Sequence, residues 1–383
     1  MRAPRRLGSL LVSAALLSTA LIAATSASTS AVAASTWARA KLPTLCSKND
    51  IRVVQGSAAV SASEGWLVVD CQHDGDERSV VVHEVGGRWT AVAHPSAADG
   101  WGQPEAMAAS GPDNVWVLTS TGIWRYDAAS WHAVPTQGLP AGAFGTGSFD
   151  IDWFVSPHPV VVQSPTRAVM VGARRNHHPV VATWDGTQWS TTALPTRSKA
   201  DRRNGDNTRV SISPLPGTSR YIVAYGPSTA VGSGTSWRLL PKVAGWCKRS
   251  CDNQTVVATS KKKAYLVHED TRPVRARYAT WNGSTWKLSA LPKLKASYAI
   301  ADLAATSRTS LVAVGYRYDA TRSSTRPFAL RFNGKKWTVD TSPKAGARSN
   351  SSVWFDRVSA VWGRRGFLVS GSSEKNVVRA YRR

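Results

Sequence analysis

The chain of 383 residues has no glycine-rich phosphate loop, no His-Glu-x-x-His helix and no Gly-x-Ser-x-Gly elbow, so three common catalytic machineries lack their signatures. Acids are scarce, with 24 Asp and Glu against 48 Lys and Arg. The four cysteines come without the further paired Cys or His ligands that tetrahedral zinc requires. Beyond residues 7–24, no run is apolar enough to cross a bilayer. No separate catalytic domain or long linker interrupts the chain, and nothing implies a cofactor or a metal. Asp74-Gly75-Asp76-Glu77 starts like a calcium loop but lacks the remaining ligand positions, which leaves a turn.

Tryptophan, by contrast, is abundant and periodic. Trp37, Trp89, Trp131, Trp189, Trp237, Trp286 and Trp337 recur with a mean spacing of (337 − 37)/6 = 50 residues. That period fits a four-stranded propeller blade and is too long for ankyrin, tetratricopeptide or leucine-rich repeats. Before the tryptophan comes a tight turn, clearest in Trp184-Asp185-Gly186-Thr187-Gln188-Trp189, Trp281-Asn282-Gly283-Ser284-Thr285-Trp286 and Phe332-Asn333-Gly334-Lys335-Lys336-Trp337. Asp-Gly and Asn-Gly are hairpin signals because glycine accepts the positive φ such turns need. After it, Leu194-Pro195, Leu240-Pro241 and Leu291-Pro292 end the strand, since proline donates no ladder hydrogen bond. Between tryptophans lie two apolar strands around a polar turn, as in residues 108–118, 303–315 and 358–371.

Each repeat thus reads as four strands, A to D, and the fold class as an all-β, seven-bladed propeller. The carboxy-terminal segment supplies A, B and C but stops. The missing D strand is expected at residues 36–43, so that an N-terminal strand completes the last blade and removes open sheet edges.

Arg2, Arg5 and Arg6 precede an apolar run and a small-residue stretch ending Ala31-Val32-Ala33, the three parts of a secretory leader. Residues 1–33 are expected to be a signal peptide cleaved near Ala33, with residues 34–383 forming one extracellular propeller domain without a transmembrane segment; an uncleaved anchor is the alternative. In an exported chain four cysteines suggest two disulfides. Topology places Cys46 and Cys71 on one face, which makes them the natural pair and leaves Cys247 with Cys251.

The leader removed, net charge is 45 − 24 = +21. Such a charge attracts anionic partners in a salt-dependent way, although a solvated basic surface also serves solubility alone. In a four-stranded blade the A–B and C–D turns emerge on one face, the B–C and D–A connections on the other. The second face carries the longer loops and is where binding is expected. Periodic tryptophans should pack between blades. Trp101, Trp153, Trp246 and Trp354 instead fall in D–A loops, and Trp362 on an A–B turn; the loop indoles either stack a sugar ring or nucleobase or fold back onto their own loops. Arg174, Arg175, Arg202, Arg203, Arg209 and Arg357 lie in the same set of loops and suit carboxylate or phosphate. Glu105, Asp152, Asp302 and Asp356 precede A strands. They are the catalytic candidates, since a glycosidase needs two carboxyl groups about one bond; ion pairing at a ring mouth is the other reading.

Asp113-Asn114-Val115-Trp116 in strand B, with Trp184-Asp185-Gly186 to Trp189 across C and D, resembles secreted actinobacterial propellers, loosely similar to the kelch and galactose oxidase central-domain group. The resemblance covers about residues 36–383 and implies a fold more than an activity. The kelch Gly-Gly pair occurs only as Gly86-Gly87, and the copper-site residues of galactose oxidases have no counterparts. The function expected is a secreted, non-enzymatic recognition module binding a glycan or an anionic cell-envelope polymer, with nucleic acid only as a non-specific polyanion. A carbohydrate-active hydrolase or lyase and a protein-interaction scaffold are the alternatives.

Overall fold

A computed structural model describes residues 37–47, 50–73, 76–140, 151–152, 158–174, 178–197, 210–226, 228–245, 254–271, 274–292, 298–319, 324–340, 353–360, 366–373 and 379–382. Every described sheet is antiparallel. Six take successive strands, which run A to D within each sheet. Blade 1 is Ile51–Ser61, Glu64–His73, Asp76–Val85 and Arg88–Val92; blade 2 is Pro104–Gly111, Asn114–Thr119, Gly122–Tyr126 and Trp131–Ala133. In blade 3 the A strand is split into Ile151–Asp152 and Val160–Ser164, followed by Arg167–Arg174, Pro179–Trp184 and Trp189–Ala193. Blade 4 is Val210–Pro214, Tyr221–Tyr225, Ser228–Ser233 and Ser236–Leu239. Blade 5 is Gln254–Ser260, Lys263–Thr271, Val274–Trp281 and Trp286–Ala290; blade 6 is Tyr298–Ser307, Ser310–Asp319, Ser324–Phe332 and Trp337–Asp340. A terminal sheet holds Val353–Ala360, Phe367–Ser373 and Arg379–Arg382, and Ala38–Arg39 lies along its edge with Ala38 opposite Arg382 and Arg39 opposite Tyr381.

The core consists of seams between sheets. Successive residues of a strand point to opposite faces, so in Asn114–Thr119 the side chains of Trp116 and Leu118 enter the seam with blade 3 while Val115 and Val117 enter the seam with blade 1. A strand sandwiched in this way must be apolar on both faces, which is why these strands read as continuous apolar runs. Six of the seven periodic tryptophans are buried in the seams, and Trp237 is half-buried against the edge of one. Trp66 and Trp116 are fully buried, and Trp37, Trp89, Trp131, Trp189, Trp286 and Trp337 are buried. At 150–250 Å² per aromatic side chain, each contributes roughly 4–6 kcal/mol of transfer free energy before ordering entropy is subtracted. Seams also join the terminal sheet to both neighbours: Phe355, Val358 and Val369 pack with Val312 and Val314 of blade 6, and Leu368 packs with Leu67, Val69 and Val82 of blade 1.

Cys46 and Cys71 form a buried disulfide with a Cα–Cα distance of 5.7 Å, as topology predicted. It ties the segment leaving Ala38–Arg39 to the B strand of blade 1. Closing a loop of this length stabilises by about 3 kcal/mol in the chain-entropy description. Cys247 and Cys251 lie outside the described residues, as do residues 1–36 with the expected leader. Among the described residues, no helix is long and apolar enough to cross a membrane.

Candidate functional site at the mouth of the central channel

The A strands of blades 1 to 6 and the terminal sheet jointly line a cavity of 480 Å³. Inner strands of neighbouring sheets do not share a ladder, so their edge groups need other partners. Side chains supply them. The Ser211 and Ser213 hydroxyls of blade 4 accept hydrogen bonds from the Val256 and Ala258 amides of blade 5 at 3.2 and 2.9 Å, and the Ser57 and Ser359 hydroxyls meet at 3.3 Å.

Asp302 is the most highly connected of these groups. Its carboxylate accepts from the Leu303 amide at 2.7 Å and, across the seam, from the Val358 amide at 2.8 Å, while His158 Nε2 of blade 3 lies 2.8 Å away. One side chain therefore joins three sheets, two of them far apart in the repeat order. Asp302 is fully buried and sits inside strand Tyr298–Ser307 rather than ahead of it. With no exposed oxygen, its carboxylate clamps these sheets together.

Four of the A strands, those of blades 1, 2 and 6 and of the terminal sheet, share an irregularity that the sequence did not reveal. Ladder register shifts between Val54 and Gly56, Pro104 and Ala106, Ile300 and Asp302, and Phe355 and Arg357. The residues skipped are Gln55, Glu105, Ala301 and Asp356, all half-buried. In each case the cavity lining begins two residues later, at Ser57, Met107, Leu303 and Val358. These bulges thus occupy one level, on the D–A side of the cavity. A bulge removes its residue from the strict alternation that sends neighbours into the seams and re-aims its side chain. Gln55, Glu105 and Asp356 belong to consecutive sheets, so three polar residues form an arc of strand positions just beyond the cavity lining, at its D–A end. Gly56 shows how closely the inner strands approach beside the arc: a Cβ there would lie 2.6 Å from that of Met107.

Glu105 and Asp356 therefore lie within A strands, at bulges, and not in the preceding loops as expected. Arg357 and Trp354 are likewise inside Val353–Ala360. The Arg357 guanidinium donates to the Gln55 carbonyl at 3.3 Å and to the Asp356 carbonyl at 3.2 Å, pinning two members of the arc. Trp354 is half-buried. Trp101 takes the folded-back alternative: it is only 5% exposed, its ring 4.8 Å from His94, 5.3 Å from Trp131 and 5.6 Å from Trp124. Ser96 caps the short turn Ala97–Asp99 that carries the chain into it, and the Trp101 amide donates to the Ser96 carbonyl at 3.1 Å.

Asp152 ends strand Ile151–Asp152 and Arg174 ends strand Arg167–Arg174; their side chains fall outside the described set. Trp153, Trp246, Trp362, Arg175, Arg202, Arg203 and Arg209 lie outside the described residues. Sequence reasoning missed Asp70, a fully buried carboxylate that accepts from Gln72 at 2.6 Å and, across the seam of blades 1 and 2, from Gln103 at 3.0 Å. An acid ending the apolar run Leu67-Val68-Val69 was the available signal.

No protein-family model matches the chain, and no curated protein matches it. Among solved structures it is similar to YCF48 from Cyanidioschyzon merolae, at 14% identity over 91% of this chain and 98% of that one, with a TM-score of 0.55. It is also similar to the β-propeller domain of the Trilobed protease from Pyrococcus furiosus, described as having an open velcro topology, at 7% identity, coverages of 87% and 93% and a TM-score of 0.52. A third likeness is to an ulvan lyase of polysaccharide lyase family PL25, at 12% identity, coverages of 86% and 93% and a TM-score of 0.52. At such identities likeness establishes fold alone. The chain is an all-β propeller with four-stranded antiparallel blades.

Proposed function

We propose that this chain is a secreted, non-enzymatic recognition module that binds a polyhydroxylated glycan at the channel mouth. In this reading the terminal sheet is a seventh blade, its D strand supplied by Ala38–Arg39 so that the ring closes. The observation that carries the functional reading is the arc of bulge residues. Gln55, Asp356 and Glu105, the last with its Oε2 buried, carry groups of the kind that bond sugar hydroxyls, and Trp354 offers an apolar face beside them. Carboxylates at this level disfavour an acidic ligand, so the mouth suits a neutral glycan better than a polyanion.

The test is a glycan array probed with the full chain, followed by titration of the best ligand. Retention of a neutral glycan, with binding weakened about tenfold or more by Glu105→Gln or Trp354→Ala, is the expected result; absence of glycan binding, or binding indifferent to both changes, overturns it. A carbohydrate-active hydrolase or lyase is the second reading, favoured by the presence of two half-buried carboxyl groups on sheets flanking blade 1. New reducing or unsaturated chain ends that vanish with Glu105→Gln would establish it over simple binding.

A further inference from the structure

The face opposite the mouth, built from A–B and C–D turns, is divided by charge. In blades 1 to 3 these turns, residues 61–64, 85–88, 111–114, 126–131, 164–167 and 184–189, carry Arg88 and Arg167 against Glu64, Asp113, Asp127 and Asp185, or 2 − 4 = −2. The corresponding turns of blades 5 and 6, residues 260–263, 281–286, 307–310 and 332–337, carry Lys261, Lys262, Lys263, Arg308, Lys335 and Lys336 with no acid, or +6. Lys261, Lys262, Arg308, Lys335 and Lys336 are exposed. Lys263 is half-buried, its ammonium 5.4 Å from the centre of the Tyr265 ring. Topology and packing bring the turns together. A Cβ at Gly283 would lie 3.1 Å from the Lys262 side chain, so the A–B and C–D turns of blade 5 touch, and blades 5 and 6 share a core seam.

Turn geometry does not dictate the difference. In blade 3 the Asp185 carboxylate accepts from the Thr187 and Gln188 amides at 2.8 and 2.9 Å. In blades 5 and 6 the Asn282 side-chain oxygen accepts from Ser284 and Thr285 at 3.0 and 2.9 Å, and that of Asn333 from Lys335 and Lys336 at 3.1 and 3.0 Å. The bond is kept and the negative charge removed, at the positions where lysines gather.

We propose that the turn face of blades 5 and 6 is a second binding surface, for a base-free polyol phosphate chain of the kind found in cell envelopes. This inference is independent of the mouth reading. The cations are chiefly lysines, which act as point charges suited to successive phosphates. Trp281, Trp286, Phe332 and Trp337 at these turns are buried in seams, so no exposed ring among these turn residues offers a stacking platform for a nucleobase or a sugar. A phosphate chain with flexible polyol spacers needs none.

Binding of the full chain to poly(glycerol phosphate), with single-stranded DNA, a carboxylated glycan and neutral dextran alongside, tests the proposal. Affinity should fall roughly tenfold or more on raising salt from about 50 to about 200 mM. Replacing Asn282 and Asn333 by Asp keeps the turn hydrogen bonds, and should weaken binding several-fold with the melting temperature unchanged. The triple change Lys261→Gln, Lys335→Gln, Lys336→Gln should abolish most binding, whereas removing three exposed arginines elsewhere on this face, by Arg88→Gln, Arg167→Gln and, on the A–B turn of blade 4, Arg220→Gln, should leave it within twofold. Equal losses from the two triple variants would reduce the effect to bulk charge and overturn the proposal, as would tighter binding of single-stranded DNA or of the carboxylated glycan, or no binding of poly(glycerol phosphate).

Discussion

Asp302 at the hub and Asp185 at the rim perform the same local task, each accepting backbone N–H groups with a carboxylate oxygen, yet the molecule treats them differently. Asp185 is exposed, and at its equivalents in blades 5 and 6 an asparagine does the work with the same geometry. On the surface the turn needs an oxygen and is indifferent to charge, so charge can follow binding or solubility instead. Asp302 is fully buried, where an ionised carboxylate is costly to desolvate unless several partners surround it. It has three, drawn from three sheets. One hydrogen-bonding motif therefore reports architecture in the interior and leaves function free to vary outside.

The comparison breaks first, and with the largest effect, at the hub. Asp302→Ala strands the Leu303 and Val358 amides and leaves His158 without its partner, and should cost about 3–5 kcal/mol in chemical denaturation. His158 is partly exposed and can recover water, so His158→Ala should cost less. The two changes combined should be clearly less than additive. A loss under about 1 kcal/mol for Asp302→Ala would mean that the clamp holds nothing.

The next change should affect both rim turns alike. Gly186 and Gly283 have φ of 106° and 101°, and a Cβ at either would sit 3.0 Å from Thr166 or 3.1 Å from Lys262. Alanine there meets both an unfavourable backbone region and a crowded A–B turn. Each substitution should cost about 1–2 kcal/mol. If Gly283→Ala proved much milder than Gly186→Ala, the two turns would not be structural equals and the charge comparison would lose its control.

The rim of this molecule was far more legible than its hub. Asp-Gly and Asn-Gly before Trp189, Trp286 and Trp337 are local signals, and each falls at the C–D turn they indicated. The same holds for the apolar runs of the B strands, whose two-sided burial follows from composition alone. Bulges at Gln55, Glu105 and Asp356 carry no such mark, because a register shift depends on which residue the partner strand presents. That is why Glu105 and Asp356, and Asp302 next to the shift in blade 6, were expected ahead of their strands. Trp101 was ambiguous for a related reason: folding back requires His94, Trp124 and Trp131 to converge from separate elements. Arg275, Arg317 and Arg326, which lie beyond the apolar runs of their hairpins, stand within the long paired strands Val274–Trp281, Ser310–Asp319 and Ser324–Phe332. Hairpins at the mouth end extend further than the apolar pattern does, since their tips need no burial to keep pairing.

The smallest effect gives the sharpest comparison. The Asp185 carboxyl is held below the usual carboxylate range by the Gln188 and Thr187 amides that hydrogen-bond its charged form. A group whose folded value is depressed lends stability above its unfolded value, about 3.9 for Asp, and that contribution is lost as the pH falls through the lower folded value. Asn282 offers the same oxygen and does not titrate. Asp185→Asn should therefore leave the melting temperature unchanged at neutral pH and flatten its decline below about pH 4, and Asn282→Asp should steepen that decline. Melting curves collected from pH 7 down to about 3 read both. Asp185→Asn destabilising the protein at pH 7 would show that the rim turn needs its charge after all, and the separation of structure from charge on this face would fail.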